Sequence, residues 1–215
     1  MTTEKKKYPP IRRKVGKRDR VLRPDWKYIE PCNMGDYTPE DWAVMNQQRV
    51  VYQAEERAKQ ALEILLASRD APTFGYQINN YEHCLQTATM LHRDGHNEDS
   101  IVTGLFHDVG FIVCPENHGP FAADLIRPFI SEKNAWMLEH HEIFQRIHLH
   151  GFYQPEDPDF INAREQWRGH KYFDWTAEFI ERYDIVAINP NIESLPIEFF
   201  EPMVRRVFSA SPSPV

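Results

Sequence analysis

The chain has 215 residues, a formal net charge of −7 and 41% hydrophobic residues, which is enough for one sizeable core. Its mean hydropathy is −0.60, and no uncharged apolar stretch approaches the roughly 20 residues of a membrane helix, which argues against a membrane protein. The three cysteines, Cys32, Cys84 and Cys114, lack Cys-x-x-Cys spacing, which disfavours a zinc ribbon and fits a reducing compartment. We therefore expect a cytoplasmic location.

Charge is distributed unevenly along the chain. Residues 1–30 hold eleven Lys or Arg against four Asp or Glu, whereas the remaining residues hold 14 against 28. The basic clusters at 5–7 and 12–14 are compatible with a nucleic-acid or targeting arm, but a solvated tail that folds back along the acidic body is the favoured interpretation. We expect a basic N-terminal arm over 1–36, a helical domain over 37–215, and no nucleic-acid partner.

Helical periodicity dominates the chain after this arm, and strand-like alternation is scarce. A Thr-Pro-Glu-Asp start at 38–41 begins a first helix that runs to Leu66. Further helices are expected over about 80–93, 98–108, 118–127, from 131 onward, 172–186 and 196–208. These elements predict an all-α fold, a bundle of antiparallel helices joined by short turns.

Residues suited to binding a metal recur at the ends and faces of these helices. Adjacent imidazole and carboxylate groups after an apolar run indicate a metal site, because a buried carboxylate is costly unless a cation compensates it. The candidates are His83, His107, Asp108, His118, the doublet His140 and His141, and Asp184. Each alone also has a plausible structural role, such as a helix cap or a core histidine bonded to a carbonyl. The ordered set favours a site for Fe, Mn, Zn or Ni, since it contains nitrogen and oxygen ligands and no sulfur.

The ordered set resembles that of the HD-domain superfamily, over roughly residues 75–190. The two extra histidines between the His-Asp pair and the last Asp are similar to those of the mixed-valent diiron oxygenases, namely myo-inositol oxygenase and the phosphonate oxygenases. The segment 83–88 (His-Cys-Leu-Gln-Thr-Ala) resembles the first-ligand helix of the phosphonate oxygenases. Residues 117–119 (Asn-His-Gly) and 182–184 (Arg-Tyr-Asp) resemble two of their later motifs. Many HD proteins carry a basic residue where this chain has Phe111.

The resemblance implies an HD-type helical bundle with a dinuclear site between its helices. A single-metal HD site needs only His83, His107, Asp108 and Asp184, so two histidines would be surplus. With two ions, Asp108 is expected to bridge them, His83, His107 and Asp184 to complete one set of ligands, and His118 and His141 to complete the other. Two iron ions are the expected cofactor, with Mn, Zn or Ni as alternatives.

Several further residues are candidates for contact with the substrate. Neighbours on a helix point about 100° apart, so only one of His140 and His141 can be a ligand. The family's helix pattern favours His141, which leaves His140 as a candidate catalytic residue. Tyr76 is a second, in a loop that in the phosphonate oxygenases carries residues able to cover the iron; an aromatic plug over the core is an equal alternative. Gln145, Arg168 and His170 are candidate substrate-binding residues.

Two enzymatic functions remain open on these residues. In the first, a diiron oxygenase uses O2 to oxidise or cleave a small hydroxylated substrate, with or without an acidic group. In the second, a metal-dependent phosphohydrolase uses the paired ions to activate water for attack on a phosphomonoester or phosphodiester. The extra histidines favour the oxygenase. A non-catalytic metal-binding protein is a more distant third interpretation.

Overall fold

The computed structural model describes residues 22–149, 151 and 157–209. The basic clusters at 5–7 and 12–14 lie outside these residues, and the arm expected over 1–36 stays a prediction. The α-helices of the described residues are α1 (Pro39–Leu66), α2 (Asn80–Arg93), α3 (Glu98–Phe106), α4 (His118–Ile126), α5 (Glu132–Gln145), α6 (Pro158–Ile161), α7 (Phe173–Phe179) and α8 (Ile197–Ser209). No strand occurs in this part of the chain, so the predicted all-α class is confirmed. No described helix has both the length and the apolar character that a membrane span requires.

Contacts along the chain define two compact units, residues 1–53 and 54–215. In the first unit, the ring of Trp26 meets that of Tyr52 edge-on at 5.8 Å. The side chain of Gln48 exchanges two hydrogen bonds with the backbone of Lys27 there. All the metal-ligand candidates belong to the second unit.

Short polar side chains cap the first turns of α2, α3 and α5. The side-chain oxygen of Asn79 accepts a hydrogen bond from the backbone N–H of Glu82, and Asn97 caps α3 in the same way. Ser131 caps α5 through the backbone N–H of Asn134. Such caps satisfy backbone donors that have no partner inside the helix, which explains where these helices begin.

Helices α2 and α3 form a hairpin whose close packing depends on a glycine. The two helices are joined by residues 94–97, and Gly95 adopts a φ of 77°, which favours glycine in the connecting turn. A Cβ atom on Gly104 would overlap Cδ1 of Leu91 and lie 3.2 Å from Cγ2 of Thr87. The absence of a side chain at position 104 therefore lets the two helices approach and brings residues 83 and 107 together.

Two helix ends differ from their predicted positions. Helix α3 ends at Phe106 rather than near Asp108, and the chain continues in tight turns, with the N–H of Phe111 donating to the carbonyl of Asp108 at 3.0 Å. The helix predicted over 172–186 is α-helical only to Phe179. It continues as one π-helical turn, Ile180–Asp184, closed by the N–H of Ile185 donating to the carbonyl of Ile180.

Candidate metal centre

Five segments of the second unit bring six polar side chains to one buried place. His83 lies on α2, His107 and Asp108 follow α3, His118 begins α4, His141 lies on α5 and Asp184 ends the π-helical turn. All six are among the buried polar residues of the protein. The surrounding core is apolar, so these groups need one another or a cation to offset their loss of hydration.

His83 and His107 form one side of the cluster with Asp184. Their Nε2 atoms lie 2.9 Å apart. Oδ1 of Asp184 lies 3.4 Å from Nε2 of His83 and 3.7 Å from Nε2 of His107. Two imidazoles and one carboxylate therefore converge on a single point.

His118 and His141 form the other side with Asp108. Their Nε2 atoms are 3.1 Å apart, and Oδ1 of Asp108 is 3.2 Å from each of them. Oδ1 also lies 3.7 Å from Nε2 of His107, and Oδ2 of Asp108 lies 3.6 Å from Nε2 of His83. Asp108 is thus shared by two groups of metal-binding type, His83–His107–Asp108 and Asp108–His118–His141.

Each histidine is oriented by a hydrogen bond from its other ring nitrogen. Nδ1 of His107, His118 and His141 lies 2.7 to 2.9 Å from the carbonyl oxygen three residues earlier. Nδ1 of His83 lies 2.9 Å from the carbonyl oxygen of Ala187. A carbonyl can only accept, so Nδ1 carries the hydrogen in all four rings. The Nε2 lone pairs then point at one another in pairs, which is favourable only with a proton or a cation between them.

The pKa values of the cluster also indicate that positive charge is favoured between these side chains. Burial lowers the pKa of His83, but Asp184 and Asp108 outweigh it and raise this pKa to about 9. Burial acts likewise on His118, and Asp108 raises its pKa to about 9. Burial raises the pKa of Asp108, but the charge of His107 and hydrogen bonds from His118 and His141 hold it well below its usual range. Cations are therefore strongly favoured here, and the nitrogen and oxygen donors fit a transition metal.

Neighbouring side chains hold the carboxylates and the histidine helices in place. The Nε2 amide of Gln145 donates to Oδ2 of Asp184 at 2.6 Å, and the amide of Asn80 donates to the backbone carbonyl of Asp108 at 2.9 Å. Glu142 accepts from the backbone N–H of Gly119 at 2.9 Å. Sequence reasoning had placed Gln145 at the substrate and had missed Asn80, whose position at a helix start reads as an ordinary cap.

A cavity of about 450 Å³ opens onto the cluster. His83, Asp108, His118 and Asp184 contribute to its wall, together with Gln145 and the candidate catalytic residue Tyr76. Tyr76 lies near the open end, with 57% of its surface exposed. The volume is within the range of cavities that bind small molecules.

The structure places the doublet histidines on different sides of α5. His141 is fully buried and contributes Nε2 to the cluster, whereas His140 stacks on the ring of Trp136 at 4.1 Å and does not line the cavity. Nδ1 of His140 is bonded to the carbonyl of Trp136. The structure therefore does not bring His140 to the cavity, because the helical angle that brings His141 inward turns its neighbour away.

Arg168 and His170 are also absent from the described lining of the cavity. Arg168 pairs with Glu165 and covers the ring of Phe173, while His170 stacks on Trp136 at 4.2 Å. His140 and His170 must occupy opposite faces of Trp136, since two rings cannot share one face at this distance. The structure thus places the two residues expected to bind an anionic group among other aromatic side chains, away from the described cavity lining.

Several residues that the sequence did not mark as substrate contacts line the cavity, among them His148, Ile188 and Phe111. His148 follows α5 at the exposed end of the wall, and Ile188 follows the π-helical turn. Phe111 stands beside His118, with ring centroids 5.6 Å apart. Phe111 and Ile188 lie in turns and His148 ends a short 3-10 helix, and the local sequence pattern of such connections does not show which way their side chains face.

The chain matches no protein-family model and no curated protein. The similarity of 83–88, 117–119 and 182–184 to the HD-domain oxygenases therefore stays a resemblance of short segments. What supports a function is the set of side chains that these segments bring together.

Proposed function

We propose that the protein is a dinuclear metal enzyme of the HD type that uses O2 to oxidise or cleave a hydroxylated small molecule. The observation that carries this proposal is the sharing of Asp108 between two converging groups of ligands. Oδ1 of Asp108 lies near His118, His141 and His107, and Oδ2 lies near His83, so one carboxylate reaches both pairs of histidines, as a bridging ligand must.

The six ligands would divide unequally between the two ions. His83, His107 and Asp184 would hold the first, His118 and His141 would hold the second, and Asp108 would be shared between them. The second ion would have fewer protein ligands, which leaves more positions open for substrate. Two bound iron ions would supply the one-electron redox chemistry that O2 activation needs.

The residues of the chain would bind the substrate and exclude water from it. Gln145 already uses its amide N–H group on Asp184, so its carbonyl oxygen is left to accept a hydrogen bond from a substrate hydroxyl. Phe111 covers one side of His118 at a place where many HD proteins have a basic residue. Because a phosphoester substrate would call for cationic groups, an aromatic wall favours the oxygenase over the phosphohydrolase.

Metal analysis and oxygen uptake test the proposal together. Protein purified without oxygen and reconstituted with Fe(II) is expected to hold two ions per chain, and partial oxidation is expected to give the electron paramagnetic resonance signal of a coupled Fe(II)/Fe(III) pair. One tightly held ion would contradict the dinuclear centre. Metal-dependent release of phosphate or alcohol from phosphoesters, without oxygen uptake, would replace the oxygenase by the phosphohydrolase.

A further inference from the structure

The cavity changes in character from its buried end to its open end. At the buried end stand the carboxylates and imidazoles of the metal centre. Along the rest of the wall stand large apolar side chains, namely Phe74, Ile78, Phe111, Leu149, Ile185 and Ile188. A molecule that binds along the whole cavity therefore needs a polar head for the buried end and an apolar body for the rest of the wall.

The open end carries several exposed apolar side chains beside Thr73, Tyr76 and His148. Phe74 is 65% exposed, Ile188 45% and Leu149 37%, and all three line the cavity. Exposed apolar groups that converge on one opening lose contact with water when an apolar ligand covers them, which stabilises the complex. We call Phe74, Leu149 and Ile188 the rim of the cavity. These side chains add affinity for an apolar part of a ligand that extends beyond the buried end.

The described wall offers amides and histidines but neither Lys nor Arg. Its polar side chains away from the metal centre include Asn79, Asn80, Gln145 and His148. Asn79 is occupied by the cap of α2 and by the carbonyls of Arg69 and Ala71. The wall is thus suited to a body without a strong negative charge.

We infer that the substrate is an amphiphile: a chelating hydroxyl or carboxylate head at the metal centre, joined to a neutral, predominantly hydrocarbon body. A cavity of about 450 Å³ is within the range that holds a small molecule of this kind. The position of the head rests on the proposed function, whereas the apolar body rests on the wall alone.

A series of n-alkyl hydroxamic acids, from two to twelve carbons, separates these two parts. Binding is measured by calorimetry to protein loaded with Zn(II), which performs no redox chemistry, and to the metal-free protein. The affinity is expected to rise about two- to fourfold per methylene group until the cavity is full, and then to level off. The change in affinity with each added methylene group measures the contribution of the apolar wall. The difference in affinity between the Zn(II)-loaded and the metal-free protein measures the contribution of the metal.

Rim variants show where the apolar body lies. Ile188→Ser and Leu149→Ser are expected to flatten the chain-length dependence and to leave acetohydroxamate binding unchanged. Val113→Ser is the matched control, because Val113 is 70% exposed but does not line the cavity. The control should keep the full slope. Since all three side chains are exposed, loss of the fold is not expected to obscure the comparison.

Failure of the inference and failure of the proposed function give different results. An affinity that is independent of chain length, or a gluconohydroxamate that binds more tightly than octanohydroxamate, would overturn the apolar body whatever the metal does. If affinity rises with chain length but is the same for the metal-loaded and metal-free proteins, the substrate still has an apolar body, but its head does not bind at the metal. Sedimentation of the protein with phosphatidylcholine vesicles, without hydroxamate binding, would assign the rim to a lipid surface and overturn the inference.

Discussion

Nδ1 of His83 lies 2.9 Å from the backbone carbonyl oxygen of Ala187, 104 positions further along the chain. The other three histidines of the centre bond to carbonyls only three residues away. Their ring orientation is set by local backbone geometry, but that of His83 depends on the segment that also carries Asp184. The side of the centre formed by His83, His107 and Asp184 can therefore form only when the C-terminal part of the domain is folded.

Substitution of the shared carboxylate should affect both ions. Asp108→Ala is expected to reduce metal content from two ions to fewer than one, because each group of ligands loses an oxygen and the pairs of histidines lose their counter-charge. His118→Ala should lose mainly one ion. Metal analysis of both variants after desalting checks the difference. Equal metal content in the two variants would contradict a bridging role for Asp108.

The histidine doublet provides a matched pair of variants. His141→Gln should lose the ion held by His118 and His141, since Nε2 of His141 faces Nε2 of His118 at 3.1 Å. His140→Gln should retain both ions, since His140 stacks on Trp136 outside the cluster. Metal content and circular dichroism are measured for both proteins. If His140→Gln loses metal while its helical signal is intact, the assignment of the two histidines must be reversed.

Loss of the bond from Gln145 should weaken the centre without removing a ligand. Gln145→Leu leaves Oδ2 of Asp184 without its donor at 2.6 Å, and we expect a fall of about 10- to 100-fold in metal affinity. Competition with a chelator of known affinity measures this change. Gln166→Leu is a suitable control, because Gln166 bonds only locally to the carbonyl of Ala163. An unchanged affinity in the Gln145 variant would show that Asp184 needs no such support.

Stability should depend on pH in the metal-free protein. The pKa of His83 and of His118 is raised from 6.5 to about 9, so their contribution to stability is fully present below pH 6.5 and is lost as pH rises through 9. We expect the melting temperature to fall between pH 6.5 and 9.5. Bound metal replaces these protons and should remove the dependence. Thermal melts of both forms check this, and a pH-independent metal-free protein would contradict it.

Gly119 should be intolerant of a side chain. A Cβ atom there would lie 2.7 Å from the carbonyl oxygen of Leu138 and 3.1 Å from the ring of His141. Gly119→Ala is expected to destabilise the protein by about 1–3 kcal/mol and to lower its metal content, because α4 must move away from α5. Urea unfolding measures the change. Gly35→Ala is the control, since its nearest neighbour would be 3.5 Å away.

Periodicity and capping residues allowed the all-α class to be predicted, and the bounds of α2 agree with the structure. The convergence of the candidate ligands was expected because short turns make successive helices antiparallel. Arg168 and His170, expected at the substrate, lie outside the described cavity lining, because the course of a connecting segment depends on tertiary contacts such as the stacking on Trp136. The apolar rim was not foreseen for the same reason: Phe74, Leu149 and Ile188 lie outside the regular helices.

The π-helical turn at Ile180–Asp184 has an evolutionary consequence. It holds one residue more than an α-helical turn, and that extra residue fixes the angle at which Asp184 faces the histidines. Deletion of a single residue from this turn would leave a continuous helix but rotate position 184 by about 100°, out of the centre. Among related chains, such a deletion would remove Asp184 from the cluster while every candidate ligand stayed in the sequence, and only a one-residue gap would record the change.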